Sequence, residues 1–532
     1  MNGSSASAAV VPASQTHAFN AAAHFIRRHL DEGRADKPAV IDDAGSYSYG
    51  DLAARAGRFA GLLRAEGVAM EERVALCLLD TIDFPTAFWG AIQAGVVPIP
   101  LNTLLTTKDY DYMLRDSRAR VLVVSALLYE KVEPILGSLP FLRKVIVSGG
   151  DAGGHPRLDD LLADAPESAE VAPTTADDVA FWLYSSGSTG APKGTMHLHR
   201  NLLATAEQFG RGVLGIGPDD VVFSAAKLFF AYGLGNGMTF PFHAGATAVL
   251  TWERPTPDSV TRVIAAHRPT VFFGVPTLYG AMLAAPAEIQ ARRSDRLRLC
   301  VSAGEALPED VGQRWEARYG VPIVDGLGST EMLHIFLCNR PGDVRYGTSG
   351  KAVPGFRLRI VDDEGVPVPD GELGELVVSG PSAAIGYWNQ REKSLKTFRG
   401  PWTHTGDKYY VDADGYYHYA GRTDDMLKVS GNWVSPAEVE ATLVAHPAVL
   451  EAAVIGTADE ADLIKPKAFV VLKDGHHATD ALKQELQAFI KSRLAPYKYP
   501  RWIEFMEALP KTATGKIQRF KLREQENAHA AP

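Results

Sequence analysis

Cysteine is scarce in this chain. Cys77, Cys300 and Cys338 are the only three, an odd number with no CxxC spacing. A disulfide framework and a structural zinc site are not expected, and a reducing, cytoplasmic setting is. Cys77 sits in an apolar run, where packing is its ordinary role. Long apolar runs are missing too: none approaches the ~18 residues of a membrane-spanning helix. Nor is positive charge in excess. With 54 Lys and Arg against 63 Asp and Glu the net charge is −9, which argues against nucleic acid as the main partner, since phosphate neutralisation needs a basic face. The opening residues lack the basic n-region of a signal peptide. Residues 1–17 and 527–532 read as flexible tails.

What is present is a large reserve of core-forming side chains. Hydrophobic residues are 46% of 532 positions, and single cores stop growing at roughly 250–300 residues, so several domains or subdomains are expected. Leu52, Ala56, Phe59 and Leu63 share one helix face. Residues 74–79 form a short continuous apolar run, the pattern of a strand buried on both faces. A helix near 85–93 and extended runs at 96–101, 121–125 and 144–148 complete a βαβ rhythm, which predicts a largely parallel sheet. The stretch 149–178, rich in Ala, Gly, Pro and Asp, reads as a surface excursion before a new sheet near 179–184. A further α/β region spans 221–331, and beyond Gly347 short strands with tight turns predict antiparallel structure. A small α+β unit follows, with helices at 436–444 and over Leu482, Leu486, Phe489, Ile490 and Leu494, and strands at 452–455, 467–472 and 502–505. The charged segment 421–425 marks the boundary between the two styles, dividing the chain into 18–423 and 424–532.

Residues 184–194 read Tyr-Ser-Ser-Gly-Ser-Thr-Gly-Ala-Pro-Lys-Gly after an apolar strand candidate. Small residues let backbone N–H groups close on phosphate oxygens. The hydroxyls of Ser185, Ser186, Ser188 and Thr189 can donate as well, and Lys193 adds charge, a combination that suits a polyphosphate. A Walker A loop is excluded, because it needs Gly before the lysine and Ser or Thr after it, where this chain has Pro192 and Gly194. On composition alone, a Ser/Gly linker is the plainer alternative.

Further segments follow in order: Ser-Ala-Gly-Glu-Ala-Leu-Pro at 302–308, Asp-Gly-Leu-Gly-Ser-Thr-Glu at 325–331, Trp-Thr-His-Thr-Gly-Asp at 402–407, Gly-Arg-Thr-Asp-Asp at 421–425 and Pro-Lys-Thr-Ala-Thr-Gly-Lys at 510–516. Together they resemble the motif set of the adenylate-forming (ANL) superfamily of acyl-CoA synthetases, adenylation domains and firefly-type luciferases. The resemblance implies an α/β fold: a large N-terminal domain of α/β subdomains plus a β-rich subdomain, and a small mobile α+β C-terminal domain. It implies ATP with Mg2+, and CoA as co-substrate. By the same resemblance Ser185, Ser186, Gly187, Ser188, Thr189 and Lys193 steer the phosphates, Gly304, Glu305 and Ala306 lie beside adenine, and Asp325, Gly326 and Thr330 also serve the nucleotide. Glu331 helps hold magnesium, a task suited to hard carboxylate oxygen. Asp407 binds the ribose diol, since a carboxylate accepts two hydrogen bonds. Arg422 reaches ribose or phosphate, and Asp424 is the hinge. Lys428, Ser430, Gly431 and Trp433 are assigned to CoA; Trp433 stands where some relatives carry Arg, and could stack on an adenine. Lys516 is the implied catalyst of adenylation, meeting negative charge in the transition state.

The run Lys-Leu-Phe-Phe-Ala-Tyr-Gly-Leu-Gly-Asn at 227–236 resembles the superfamily's acyl-pocket motif. Phe230, Ala231 and Tyr232 offer flat apolar walls and Gly235 leaves room for a ring edge, with Gly328 also assigned to the pocket. His334, Ile335 and Phe336 are expected as the second wall. His334 could bond the substrate carboxylate, bond a ring hydroxyl, or simply pack. This combination most resembles benzoate-CoA ligases and related hydroxybenzoate enzymes. It implies that a small aromatic carboxylate, ATP and CoA are the partners, without nucleic acid or membrane, and leaves room for a homodimer. The alternatives are a hydroxybenzoate- or aminobenzoate-CoA ligase and a stand-alone aryl adenylation enzyme that loads a carrier protein. A fatty acyl-CoA synthetase is disfavoured by the blunt wall at Phe230 and Tyr232.

Overall fold

The computed structural model describes residues 18–187, 190–423, 425–429, 432–459, 463–511 and 517–530. The fold is mixed α/β, with a large N-terminal part and a small C-terminal unit. The predicted parallel sheet is present: Val97–Pro100, Arg73–Cys77, Val121–Ser125 and Lys144–Ser148 pair in that order, all parallel. Residues 121–125 are buried throughout, as their unbroken apolar run requires. Helix Tyr49–Ala65 opens on a capping box: Ser48 Oγ accepts from the Asp51 N–H at 3.1 Å, and the Asp51 carboxylate accepts from the Ser48 N–H at 2.8 Å. Its buried face carries Leu52, Ala56, Phe59 and Leu63.

A second, nine-stranded sheet runs Lys351–Ala352, Ile335–Cys338, Ile323–Gly328, Leu299–Ala303, Val271–Gly274, Val221–Ser224, Thr247–Val249, Pro38–Asp42 and Gly45–Ser48. Its centre is parallel and both edges are antiparallel. Pro38–Asp42, from the start of the chain, pairs with Thr247–Val249, placing Val40 opposite Ala248. Beyond residue 347 the predicted antiparallel region forms around Arg357–Val361, Gly374–Ser379, Trp402–Val411 and Tyr417–Arg422. The small unit packs helices Pro436–Val444 and Asp480–Lys491 on strands Val449–Ala458, Ile464–Leu472 and Trp502–Phe505 around its own core of Val439, Leu443, Val454, Val470 and Leu486.

One expectation is corrected. The stretch 149–178 is not simply a surface excursion: helix Leu158–Asp164 buries Leu158 and Leu162. The chain beyond it presses on helix Tyr49–Ala65 so closely that a Cβ on Gly57 would stand 2.7 Å from the Ser168 carbonyl oxygen. A two-turn helix with one i,i+4 apolar pair is easily masked by flanking Gly, Pro and Asp. Among the described residues no helix is long and apolar enough to cross a membrane. The three cysteines are free and buried, and burial pushes the Cys77 thiol up to about 12.

Candidate active site

Strands Val179–Gly187 and Gly190–Leu198 form a hairpin, with Tyr184 opposite Gly194, Ser185 opposite Lys193 and Gly187 opposite Gly190. Most of the expected phosphate loop, including the backbone of Ser186 and Gly187, is therefore strand. Small residues have little β propensity of their own. Cross-strand pairing overrides it, reinforced by a third strand, Gly386–Tyr387, laid against Thr195 and Met196. Ser188 and Thr189 lie outside the described residues. Both legs of the hairpin are tied down: the Tyr184 hydroxyl donates to Asp116 Oδ2 at 2.6 Å, and the Tyr112 hydroxyl donates to the Pro192 carbonyl at 3.1 Å. Ser185 Oγ is buried and, among the described residues, has no partner, so it is available to a ligand.

Lys193 projects from the return leg towards Glu331. Its Nζ donates to the Tyr387 hydroxyl at 3.2 Å, and that hydroxyl donates to Glu331 Oε1 at 2.8 Å. The ammonium and carboxylate are themselves 3.9 Å apart. Burial lowers the Lys193 pKa, against the pull of Glu331. Next to Glu331, the Thr330 carbonyl accepts from His197 Nε2 at 2.8 Å.

Two expected nucleotide segments are neighbours because their strands pair in parallel, Ser302 opposite Asp325 and Ala303 opposite Gly326. Gly304, at φ 96°, Glu305 and Ala306 make the turn between strand Leu299–Ala303 and helix Glu309–Tyr319. Gly304 and Ala306 are exposed. Asp325 is buried, which pushes its carboxyl up to about 7, and its Oδ1 has no partner among the described residues. Asp407 and Arg422 are brought together across strands Trp402–Val411 and Tyr417–Arg422 as an ion pair of 3.0 Å, and Arg422 also donates to the Thr405 carbonyl at 3.0 Å.

The expected acyl wall is built where helix Ala231–Leu234 widens into the π-helical turn Gly235–Thr239. His334 Nε2 donates to the Tyr232 carbonyl at 3.2 Å and to Asn236 Oδ1 at 3.1 Å, which leaves Nδ1 as a bare, buried acceptor. Phe209, Tyr232 and Phe240 surround its ring at centroid distances of 5.4, 5.5 and 4.5 Å. Burial pushes its pKa down to about 3, so the imidazole is neutral. Gly235 is required by contact: a Cβ there would stand 2.4 Å from His334 Cδ2. At Gly328 a Cβ would stand 2.7 Å from the His334 carbonyl oxygen. The Tyr232 hydroxyl is engaged by the Gly274 and Val301 carbonyls, both at 3.1 Å, so its contribution to a wall is its ring. Phe230 and Ala231 are half-buried beside it. The expected second wall needs one correction. Ile335 and Phe336 are consecutive in a strand and face opposite ways, and Phe336 lies near Phe356, with ring centroids 6.4 Å apart.

Lys516, Asp424, Ser430 and Gly431 lie outside the described residues. Lys428 and Trp433 are backbone partners in the two-stranded ribbon Leu427–Val429 and Asn432–Val434. Asp425 bonds Arg523 at 2.9 Å and lies 3.6 Å from Arg519, which is itself 2.5 Å from Glu440. Tyr387, Asp116 and Asn236 were not foreseen as site residues. Gly-Tyr-Trp at 386–388 is the one local cue for the first, and Asn236 closes the 227–236 run without having been given a role; Asp116 becomes visible only through its contact with Tyr184, far along the chain.

The AMP-binding enzyme family matches residues 26–388, and the AMP-binding enzyme C-terminal domain matches 438–516. A benzoate–CoA ligase of Thauera aromatica is 61% identical over 507 residues, 95% of this chain and 96% of that one. A crystal structure of a benzoate CoA ligase from Burkholderia xenovorans LB400 superposes with a TM-score of 0.88 at 54% identity, covering 95% of this chain and all of the other. An anthranilate CoA ligase solved with anthranoyl-AMP gives a TM-score of 0.93 at 44% identity over 98% of this chain and 99% of its own. Motifs, fold and relatives converge: the chain belongs to the AMP-binding enzyme family, within the adenylate-forming superfamily.

Proposed function

We propose that the chain is an ATP-dependent aryl-CoA ligase that converts benzoate, ATP and CoA into benzoyl-CoA, AMP and diphosphate by way of benzoyl-AMP. The observation that carries this reading is the short segment from Glu331 to His334. Glu331 bonds Tyr387 beside Lys193, and three residues on, His334 lies neutral among Phe209, Tyr232 and Phe240. One turn joins charge suited to a triphosphate with an uncharged aromatic wall suited to a flat acid. The names of the Thauera and Burkholderia relatives support benzoate as the acid.

Carboxylates acylate poorly because oxide is a poor leaving group. In the first half-reaction a carboxylate oxygen bonds to the α-phosphorus and diphosphate leaves. Lys193 and the hairpin hydroxyls hold the departing phosphates, and Lys516 meets the charge that builds on the α-phosphate and carboxylate oxygens. Asp407 and Arg422 receive the ribose, and Gly304, Glu305, Ala306 and Asp325 flank adenine. A neutral His334 lets the ring bind without desolvating a cation. When bound, magnesium neutralises part of the triphosphate charge; Glu331 fits it, because this ion is typically held by one or two carboxylates and the substrate's own phosphates. In the second half-reaction the CoA sulfur attacks the acyl carbonyl carbon, the thiol proton is released and AMP departs. Between the halves the small domain, 424–532, turns about Asp424, withdrawing Lys516 and bringing Lys428, Ser430, Gly431 and Trp433 to the CoA channel. A cytoplasmic location and a homodimer belong to the same reading.

The bare Nδ1 of His334 supports a second reading, a hydroxybenzoate- or aminobenzoate-CoA ligase, because it would accept a hydrogen bond from a ring hydroxyl or amine. Pyrophosphate release with benzoate, its hydroxy and amino derivatives, and hexanoate decides between them. Benzoate is expected to lead. A kcat/KM for hexanoate about tenfold above that for benzoate would overturn the aromatic pocket, and dependence on a carrier protein in place of CoA would overturn the ligase.

A further inference from the structure

We propose that Tyr387 is a positioning residue for the adenylation half-reaction, its hydroxyl bridging Lys193 and Glu331 so that the 3.9 Å pair does not close into a direct hydrogen bond. The inference rests on the reading of Glu331 as the carboxylate beside MgATP. Lysine can only donate and a carboxylate can only accept, so the direction of the chain is settled: Lys193 Nζ to Tyr387 oxygen at 3.2 Å, Tyr387 proton to Glu331 Oε1 at 2.8 Å. The two charges stand only 3.9 Å apart, both largely buried, where their attraction is screened far less than in water. Among the described residues, the bridging hydroxyl is the group that bonds both at once. A contracted pair would offer the triphosphate a lysine already neutralised, and the metal a carboxylate already spent.

Tyr387 is well fixed for this task. Its backbone pairs with Thr195 on the return leg of the hairpin, and its N–H donates to Ser394 Oγ at 2.9 Å. Its ring lies under the ammonium, with Nζ 4.3 Å from the centroid, and packs against Phe398 at 5.4 Å. The Glu331 backbone is held independently, its carbonyl accepting from the Ala384 N–H at 2.8 Å, so loss of the phenol hydroxyl frees side chains rather than the turn.

The test is Tyr387→Phe, which keeps the ring and removes the bridging hydroxyl. MgATP affinity is measured by calorimetry without acid or CoA, across a range of magnesium concentrations. The expected result is a rise of about tenfold in the MgATP Kd and a shift to higher magnesium, a smaller rise in the Kd for metal-free ATP, which loses the lysine but not the metal, and a rate of thioesterification from supplied benzoyl-AMP changed less than about twofold. Unchanged magnesium dependence would overturn the proposal. Lys193→Gln supplies the second arm: with no charge left to collapse, adding Tyr387→Phe to it should cost nothing further, and an additive penalty would equally overturn the bridging role. Binding is read in the absence of any acid, so a wild type that binds MgATP but activates no aromatic acid would sink the proposed function while leaving this test intact.

Discussion

His334 Nε2 and Asn236 Oδ1 lie 3.1 Å apart, and this bond, with that to the Tyr232 carbonyl, commits the imidazole proton to one nitrogen. The pocket therefore presents an uncharged ring and a bare Nδ1. Both partners of Nε2 belong to the run 232–236, whose π-helical turn starts at Gly235. The proposed acyl wall and His334 are thus a single packed unit.

Gly235→Ala should break that unit. Its Cβ would enter the van der Waals space of His334 Cδ2, 2.4 Å away. Overpacking of this kind costs about 1–3 kcal/mol, and the histidine ring must tilt into the space reserved for the acid. Pyrophosphate-release kinetics should show kcat/KM for benzoate falling by about a hundredfold, while MgATP affinity stays within about twofold.

Lys516→Ala should reduce benzoyl-AMP formation by about 10²–10³-fold, the usual effect of losing one charge-stabilising group in a transition state. Thioesterification of supplied benzoyl-AMP should remain close to wild type. Rapid-quench measurement of each half-reaction checks both outcomes, and equal losses in the two would contradict the division of labour.

Acid should unfold the protein unusually early. Burial pushes His24 and His334 down to about 3, and His29, His197, His199 and His243 down to about 4. Each is neutral when folded and protonates near 6.5 when unfolded, so the unfolded state binds more protons below 6.5. Stability present above that pH is lost as pH falls towards 4, at up to about 1.4 kcal/mol per pH unit for each group. Asp80 and Asp325, raised to about 6 and about 7, and Asp83 and Asp116, also raised by burial, act in the opposite sense, but six histidines outweigh four carboxyls. Urea unfolding at pH 7.5, 6.5 and 5.5 should show a falling midpoint, and calorimetry should show net proton uptake on unfolding at pH 5.5.

Arg519→Ala should destabilise the C-terminal unit. Arg519 joins Glu440 at 2.5 Å and Asp425 at 3.6 Å, and Glu440 also accepts from the Val454 N–H at 2.7 Å. The loss leaves Glu440 without its counter-ion, while Asp425 keeps Arg523 at 2.9 Å. The cost is expected at about 2–3 kcal/mol, below the ~3–5 of a fully buried pair because Arg519 retains 22% of its side-chain exposure. Scanning calorimetry should report it as a lowered transition temperature.

Much of the fold was legible as pattern. The strands at 121–125 and 144–148 and the helix at 436–444 appear at their expected bounds, because short apolar runs and i,i+4 spacing are local signals. The antiparallel region after Gly347 and the small α+β unit were equally readable. Pro38–Asp42 was missed: its burial comes from Thr247–Val249, which no window of sequence around it contains. The phosphate segment was read as a loop because Ser and Gly suggest one, yet pairing between its own two legs, Tyr184 with Gly194 and Ser185 with Lys193, makes most of it sheet.

The candidate site divides along the same line. Contiguous motifs carried the expectations: small residues and Lys193 for phosphate, Glu331 for a hard cation, and the aromatic run at 229–232 for a flat acid. Such chemistry is written in neighbouring positions and survives without coordinates. Which groups touch was settled by long-range pairing. Tyr387 comes between Lys193 and Glu331, His334 turns its proton to Asn236, and Asp116 anchors Tyr184, across sequence separations of 194, 56, 98 and 68 residues. Hydrogen bonds and ion pairs act over a few ångströms of space, and no spacing along a chain specifies them until the sheets have closed.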